Sequence, residues 1–381
     1  MSISQPHLVQ FESPSPGVVN AGGWEPSDAV RTFVFMANLA AQEASGDPAA
    51  SSSPERVVHR LKGSTESRTL LFGVVDGPAP LGEVSELGLP LIATINSEHA
   101  YDFVSFIHLS LPLIEEKENA DIECVLDVDY LPMPGEALDA EGLEVARWTV
   151  AAAERLAVQL GRSILQTGIL HPAGTPATHD PLAAVFAEAG YEHKHTEHQL
   201  QLKIPDSPAV PMLTNDLSIE VWPDYDIPDS YIDQVLELLT VASVDSIQGE
   251  LSTEPICWTR QRLNEAHGRL RDRKAHTLMV ALINRANDTV LSLTELGRHA
   301  VADPQVSEWT ITVTRRDSRK RGFATLAKLG ALAAVPRYWP NVTKSYCSVA
   351  EKEPAMNAIY RHLGACGIST SSAWEKRINQ C

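Results

Sequence analysis

The hydrophobic and polar positions of this chain follow strand-like and helix-like patterns in turn, and the change is sharpest between Glu308 and Val335. A run rich in β-branched residues from Trp309 to Thr314 predicts a strand. From Phe323 onward, apolar residues recur at spacings of three and four, which predicts a helix. Between the two lies a basic turn that ends in glycine, with Arg315, Arg316, Arg319, Lys320, Arg321 and Gly322. The predicted order is therefore strand, basic turn, helix.

A turn of this kind favours a bound anion. The first backbone N–H groups of a helix have no partner inside the helix, and they lie at the positive end of its macrodipole. Gly322 and Ala324 are small enough to let a diphosphate approach the backbone, while Arg319 and Arg321 supply charge for pairing. Two other interpretations stay open, a surface turn with solvated arginines and a nucleic-acid patch. The acidity of the whole chain disfavours the second of these.

The rest of the chain shows the same mixture of patterns. Residues 1–25, rich in Ser, Pro and Gly, predict an extended arm, and the proline-rich segment 205–211 predicts a domain boundary. Helices are predicted at 26–42, 54–61, 143–160, 180–189, 228–241, 258–270 and 354–363. Strands are predicted at 68–75, 100–112, 122–128, 163–167, 197–204, 217–222, 277–283, 289–296 and 344–349, with the hairpin turn at 284–288. Strands interleaved with helices indicate a mixed α/β or α+β fold.

The two halves contain the same elements in the same order, which suggests an internal duplication. Residues 184–191 (AVFAEAGY) and 358–365 (AIYRHLGA) look alike and occupy corresponding positions. We therefore predict two domains, residues 1–208 and residues 209–381.

Composition narrows the classes of function. The 381 residues carry a formal net charge of −18, with 44% hydrophobic and 21% charged residues, which argues against a general nucleic-acid or membrane partner. The five cysteines lack C-x-x-C spacing, and no targeting leader or membrane-length apolar run is evident, so we expect a soluble cytoplasmic protein. His193, His195 and His198 have no further ligand at metal-site spacing, so we expect no metal. A monomer and a homodimer are both compatible with the sequence.

The spacing Arg319-x-x-Gly322-x-Ala324 resembles the R/Q-x-x-G-x-G/A motif of the GCN5-related N-acetyltransferases (GNAT), which holds the pyrophosphate of acetyl-coenzyme A. The segment around Tyr360 resembles the family's L-Y-x-x-L-G-F segment. The resemblance covers 217–365 well and 26–204 in outline. The tandem arrangement of the chain is similar to that of two-domain acetyltransferases of high-GC Gram-positive bacteria. It implies two tandem GNAT-like acyl-CoA N-acyltransferase domains, each a mixed, mostly antiparallel sheet flanked by helices.

The resemblance also implies roles for individual residues. Tyr360 corresponds to the tyrosine that acts as general acid toward the coenzyme sulfur, although a helical tyrosine more commonly packs in the core. A backbone N–H near Val313 or Thr314 would hold the oxyanion. The implied cofactor-binding set is Thr312, Val313, Thr314, Arg319, Lys320, Arg321, Gly322, Phe323, Ala324, Thr325 and Asn357. Ala365 and Glu353 replace the family's aromatic residue and asparagine, which puts the cofactor contacts around 350–357 in doubt.

An acceptor amine with a pKa of about 10 is protonated at neutral pH and needs a base. Glu295, at the end of the strand before the central one, is our candidate, and a solvated strand-end carboxylate is the competing interpretation. Glu308 is a weaker candidate.

The first half has a different turn at the corresponding position. Residues 129–142 contain four acidic residues, two prolines and no Lys or Arg, so a diphosphate would meet like charge there. We therefore expect residues 1–208 to be a degenerate scaffold or acceptor-site wall and residues 209–381 to bind acetyl-coenzyme A. The expected activity is direct transfer of acetyl to an amine of a small molecule or peptide in a ternary complex. Two alternatives remain: a mycothiol-synthase-like enzyme that acetylates a cysteinyl amine, and a non-catalytic acyl-coenzyme A sensor or scaffold.

Overall fold

The structure is a computed structural model that describes residues 6–47, 51–78, 80, 82–132, 136–206, 208, 210–299 and 303–378. None of the helices in these ranges is both long enough and apolar enough to span a bilayer. The α-helices are α1 (Pro16–Ala21), α2 (Asp28–Ser45), α3 (Pro54–Leu61), α4 (Ala140–Gln159), α5 (Pro181–Glu188), α6 (Asp229–Val244), α7 (Arg260–Asp272), α8 (Phe323–Tyr338) and α9 (Pro354–His362). The strands are β1 (Pro6–Phe11), β2 (Ser67–Asp76), β3 (Leu91–Ile92), β4 (Phe103–Pro112), β5 (Asn119–Leu126), β6 (Ile164–Pro172), β7 (Glu192–Lys203), β8 (Leu217–Pro223), β9 (Ala275–Asn284), β10 (Thr289–His299), β11 (Val306–Thr314), β12 (Lys344–Ala350) and β13 (Cys366–Arg377).

The described residues divide into two compact units that the predicted boundary at 208 does not follow. Unit 1 takes those within 1–197, 248–254 and 369–381, and unit 2 takes those within 198–247 and 255–368. The second half of the chain therefore gives its last strand, β13, largely to unit 1, and the first half gives the end of β7 to unit 2. An exchange of this kind depends on pairing between segments far apart in sequence, so local patterns cannot predict it.

Unit 1 is a mixed sheet with helices on both faces. Its strands lie in the order β3-β1-β2-β4-β5-β6-β13, and only the neighbours β1/β3 and β5/β6 are parallel. One face buries Phe33 of α2 and Val58 of α3 in an apolar cluster. The other face buries Val150 of α4 and Phe186 of α5 in a second cluster. Burial of both faces explains why strand β4 is buried at most positions, and not only at alternate ones.

Unit 2 repeats this plan with the strand order β7-β12-β11-β10-β9-β8. Helices α6 and α7 cover one face through Val235, Leu239 and Leu263. Helices α8 and α9 cover the other face, where Leu332 and Tyr360 enter a separate cluster. The predicted hairpin of 277–283 with 289–296 is confirmed as β9 and β10, which pair antiparallel. Both units thus have the predicted mixed α/β architecture.

The predicted extended arm at the start of the chain is wrong for much of its length. Residues Pro6–Phe11 form strand β1, which pairs antiparallel with β2, and Val9 and Phe11 are buried. Helix α1 follows, beginning at Pro16, where proline is well tolerated. Because residues 1–25 are rich in Ser, Pro and Gly, composition does not reveal this short apolar strand. Residues 1–5 lie outside the described part of the chain.

Candidate active site

The sheet of unit 2 opens between its two parallel strands. Strands β11 and β12 pair only where Val306–Glu308 lies against Lys344–Tyr346. Beyond Glu308 the edge of β11 that runs to Thr314 has no ladder of hydrogen bonds to β12 in the register of described residues. A bulge in β11 at Thr310 lies at the start of this opening, since Glu295 pairs with Ile311 and Leu296 with Trp309. The opening exposes unpaired backbone groups next to the start of helix α8.

Helix α8 begins without a side-chain cap. Its N-cap residue is Gly322, in the left-handed conformation with φ +79°, and no side chain accepts a hydrogen bond from the helix start. Leu326 N–H bonds to the Gly322 carbonyl, whereas the described residues provide no acceptor for the N–H groups of Phe323, Ala324 and Thr325. By contrast, α2, α3, α4 and α7 all begin with a Ser, Asp or Thr side chain that accepts from the first turn. The first turn of α8 is therefore available to an anion.

The basic residues of the turn fall into two groups. Arg315 pairs with Glu237 of α6 at 3.2 Å, and Arg316 pairs with Asp245, the C-cap residue of α6, at 2.6 Å. Arg319 also pairs with Asp245 and donates to the Thr314 carbonyl at 3.1 Å. These hydrogen bonds lower the pKa of Asp245 to about 2, so it stays ionised. The sequence did not reveal that three of the five cations anchor the turn to α6.

Lys320 and Arg321 form the second group and are exposed. Lys320 has a positive φ of 61°, which costs a lysine backbone free energy and tightens the turn. The Arg321 guanidinium lies 4.7 Å from the centroid of the Phe323 ring. No ion pair joins either cation to a carboxylate within the described ranges, so both can meet a ligand.

Glu295 lies beside the bulge and is buried, with 4% of its surface exposed. Thr310, the bulged residue, donates a hydrogen bond to Glu295 Oε1 at 2.5 Å. Burial raises the pKa of Glu295, and the hydrogen bond from Thr310 opposes that rise, with a further opposing contribution from the nearby Tyr225 hydroxyl. The predicted base is therefore a desolvated carboxyl at the strand opening, and the alternative of a solvated strand-end carboxylate is not what the structure shows. Glu308 is the last residue of β11 that pairs with β12, and it also pairs with Gly297 of β10.

Tyr360 is also buried, with 3% of its surface exposed. Its hydroxyl accepts a hydrogen bond from Lys328 Nζ at 2.8 Å and interacts with the Cys347 thiol. Trp309 and Cys347 immediately follow the last paired residues of β11 and β12, so this cluster lies where the strands separate. Tyr360 packs on the α8/α9 face of the sheet with Leu296, whereas Glu295 alternates with Leu296 and projects from the opposite face. The predicted acid and base thus lie on opposite faces of the same opening.

The side chains of the remaining predicted residues contact other parts of the protein. The hydroxyl groups of Thr312 and Thr314 bond to those of Thr294 and Ser292 at 2.8 and 2.9 Å. Val313 is buried against the α6 face. Asn357 Nδ2 donates to the carbonyls of Ala350 and Glu353, which fixes the loop between β12 and α9.

The corresponding helix start in unit 1 is occupied by the protein itself. The Asp139 carboxylate caps α4 by accepting a hydrogen bond from Gly142 N–H at 2.8 Å. Phe186 stands in α5 where the similar segment of unit 2 has Tyr360, so the hydroxyl is missing. Met133–Gly135 of the predicted acidic turn lies outside the described residues. A capped helix start with a carboxylate beside it disfavours a diphosphate.

Strands β5 and β6 of unit 1 also separate after a short paired segment, 119–121 against 164–166. A cavity of about 390 Å³ lies beside this opening, lined mainly by apolar residues such as Leu126 and Ile169, with Glu123 and Asp180 among its polar groups. Among the described residues that line the cavity there is no Lys or Arg, which again disfavours an anion.

In the described ranges, no group of three or more His, Cys, Asp or Glu side chains is arranged to hold a metal ion. His193 Nε2 lies 2.9 Å from the His195 carbonyl and His195 Nε2 lies 3.4 Å from Glu197, so these rings have other partners.

Three residues of the site were missed from the sequence: Lys328, Thr310 and Asp245. Lys328 carried a usable signal, because it precedes Leu332 by four residues and Val335 by seven and so shares their buried helical face. The bulge at Thr310 and the pairing of Asp245 with the turn depend on tertiary structure.

Comparison with known proteins places the fold. No protein-family model matches the chain, and no curated protein matches its sequence. Among solved structures, a tandem GNAT protein from the clavulanic acid biosynthesis pathway, solved without acetyl-coenzyme A, aligns with 99% of this chain and 100% of its own length, with a TM-score of 0.66 and 18% identity. A GCN5-related N-acetyltransferase from Sphaerobacter thermophilus aligns with 100% of this chain and 98% of its own, with a TM-score of 0.61 and 12% identity.

At these identities the likeness concerns the fold, and it extends over both units. The chain therefore has the tandem GNAT fold, that of the GCN5-related N-acetyltransferases in its two-domain form.

Proposed function

We propose that the protein is an N-acetyltransferase in which unit 2 binds acetyl-coenzyme A and transfers the acetyl group directly to an amine of a small molecule or peptide. One observation carries the proposal: the uncapped N–H groups at the start of α8 follow the end of β11, whose edge between Glu308 and Thr314 has no register with β12 among the described residues. Two exposed cations, Lys320 and Arg321, stand at the same turn. This combination suits a diphosphate followed by an extended chain that enters the sheet.

The side chains of unit 2 suit the two proton transfers that acyl transfer requires. Glu295, buried and with a raised pKa, would take the proton of the attacking amine from one face of the opening. Tyr360 would give a proton to the departing sulfur from the other face. Backbone N–H groups on the unpaired edge of β11, near Val313 and Thr314, would stabilise charge on the acetyl oxygen. A rearrangement that exposes the Tyr360 hydroxyl is part of this proposal, because the hydroxyl is buried here.

That burial also favours a second candidate, an acyl-coenzyme A sensor without catalytic activity. Such a protein would bind the cofactor at α8 and keep Tyr360 in its core. Turnover on a panel of amines separates the two candidates, since the sensor would bind coenzyme A and transfer no acetyl group.

Replacing Lys320 and Arg321 together with alanine should raise the Kd for coenzyme A at least about tenfold, because two charge-assisted contacts to phosphate are lost. Isothermal titration calorimetry measures this directly. Arg337→Ala is the matched control, since Arg337 is an exposed cation in the last turn of the same helix. We expect one bound equivalent per chain.

An unchanged Kd in the double variant would contradict the phosphate assignment. Two bound equivalents in the wild-type protein would contradict the assignment of a single site to unit 2. Arg319→Ala is expected to act mainly through the loss of its bond to Asp245, and therefore to lower the stability of the turn as well as affinity.

A further inference from the structure

A fully buried lysine lies behind the candidate acid. Lys328, on α8, has 0% of its surface exposed. Its Nζ lies 2.8 Å from the Tyr360 hydroxyl, 3.9 Å from the centroid of the Trp309 ring and 4.3 Å from the centroid of the Tyr360 ring. The closest polar partner of this amine is thus a neutral phenol, and two aromatic faces lie against it, while the Cys347 thiol and the Glu353 carboxylate are close enough to act on its charge. A lysine that only filled space here would destabilise the fold, because its charged form loses its water shell without forming an ion pair with a carboxylate.

The surroundings change the acidity of both groups. Burial lowers the pKa of Lys328 to about 7, and Cys347 and Glu353 oppose this only in part. Burial also raises the pKa of Tyr360, with Cys347 and Glu353 adding to the rise. The lysine ammonium is therefore a much stronger acid than the phenol to which it donates.

We propose that Lys328 is the proton source behind Tyr360: as the thioester bond breaks, Tyr360 gives its proton to sulfur and takes one from the Lys328 ammonium. The inference rests on the proposed function and assigns a role to a residue that the fold does not imply. Lys328 does not meet the substrate and acts through Tyr360, so it is a positioning residue.

The proton balance closes. The C–S bond breaks with its electron pair on sulfur, and an S–H bond forms with the phenol proton. The phenol O–H re-forms with a proton from Lys328, which is left as a neutral amine. The proton released by the attacking amine goes to Glu295 and then to solvent, and Lys328 regains a proton through Tyr360 after the products leave. No oxidant, metal or other reactant is needed.

Acidity explains why the phenol needs this support. An alkyl thiol has a pKa of about 8.5 and a free phenol about 10, so proton transfer from tyrosine alone to a thiolate is uphill even before burial raises the phenol further. With Lys328 as the ultimate donor, the transfer becomes downhill, because the pKa of the ammonium lies near 7.

A double-mutant cycle tests the coupling. Lys328→Met should lower kcat about 10- to 100-fold, comparable to Tyr360→Phe, and the double variant should be no slower than the slower single variant within about threefold. Lys203→Met, which removes an exposed lysine from unit 2, is the control and should leave kcat unchanged. Effects that multiply in the double variant would show that the two residues act independently and would overturn the inference.

The pH dependence separates a proton source from a packing residue. Wild-type kcat should fall above about pH 7 as Lys328 loses its proton, and this descending limb should be absent in Lys328→Met. A descending limb that persists unchanged in the variant would contradict the role of Lys328.

Lysine side-chain NMR gives a measurement that does not depend on turnover. In protein labelled with ¹³Cε-lysine, the signal missing from the Lys328→Met spectrum should titrate near pH 7 in the wild type. A midpoint above pH 9 would exclude Lys328 as the donor.

If the wild-type protein binds coenzyme A but acetylates no amine, the proposed function fails and the relay with it. If it acetylates amines and Lys328→Met keeps wild-type kcat, only the relay fails.

Discussion

Lys328→Met should stabilise unit 2 at pH 6 by roughly 3–5 kcal/mol while it slows turnover, since a pKa displaced from 10.5 to about 7 corresponds to about 5 kcal/mol at most. Methionine fills a similar volume without a charge, and its loss of the hydrogen bond to Tyr360 offsets part of the gain. Few single substitutions stabilise a protein by this much. The expected result reflects a buried ammonium whose main partner is a phenol and not a carboxylate.

The sign of the pH dependence follows from linkage. The pKa of Lys328 is lower in the folded state than in the unfolded state, so the unfolded chain binds more protons between about pH 7 and 10.5. The cost of the buried charge is fully present below pH 7 and is relieved as the pH rises toward 10.5. The stability gain of Lys328→Met should therefore be largest at pH 6 and should shrink steadily above pH 7.

Chemical denaturation followed by pulsed hydrogen–deuterium exchange can resolve this gain, because peptides from β11 and β12 report on unit 2 alone. Lys320→Met, at an exposed position of the same unit, should change stability by less than about 0.5 kcal/mol at either pH. A variant that is less stable than wild type at pH 6 would show that the lysine stabilises the fold, and the relay would lose its physical basis.

The elements of the fold could be predicted where the deciding interactions are local. Helix α8 and strand β11 follow from the spacing of apolar residues between Trp309 and Val335, and the uncapped Gly322 follows from the absence of Ser, Thr or Asp at that position. Strand β13 could not be placed, because its partner β6 lies about two hundred residues earlier in the chain. Strand β1 was hidden by the composition of its neighbours.

The site shows the same division. The sequence indicated the basic turn as a candidate anion site, yet it could not distinguish Arg316, which binds Asp245, from Arg321, which does not pair with it. Residues of the same charge look alike in a sequence, and only the fold decides which of them already have ion-pair partners. The pKa of Glu295 likewise depends on Thr310 and Tyr225, which come from another strand and from a loop.

The two units differ at the helix start and at one aromatic side chain, and these differences support the proposal that unit 2 carries the activity. Asp139 caps α4 in unit 1, whereas Gly322 leaves α8 open in unit 2. Phe186 and Tyr360 differ by one hydroxyl at similar positions in α5 and α9. Both differences act in the same direction, since one removes an anion site from unit 1 and the other removes a proton donor.

Glu295→Gln should lower kcat/KM for the acceptor amine about 100- to 10,000-fold, the range typical of a lost general base. Glutamine keeps the size of the side chain and an oxygen that can accept the Thr310 hydrogen bond, but its amide cannot take a proton. Binding of coenzyme A should be unaffected, because Glu295 projects from the face of the sheet opposite α8. Glu308→Gln is the matched control, and its kcat/KM should stay within about threefold of wild type.

The pH profile identifies the proton that Glu295 handles. Because burial raises the pKa of Glu295, the ascending limb of kcat/KM should lie above the pKa of about 4.3 of a free glutamate. Thr310→Val removes a hydrogen bond that stabilises the carboxylate, so the limb should move to still higher pH, and it should disappear in Glu295→Gln. Steady-state kinetics between pH 5 and 9 measures all three. If the limb stays in place in Thr310→Val and Glu295→Gln retains most of its activity, Glu295 is not the base. The base would then be sought among residues on the other face of the sheet, at the opening between β11 and β12.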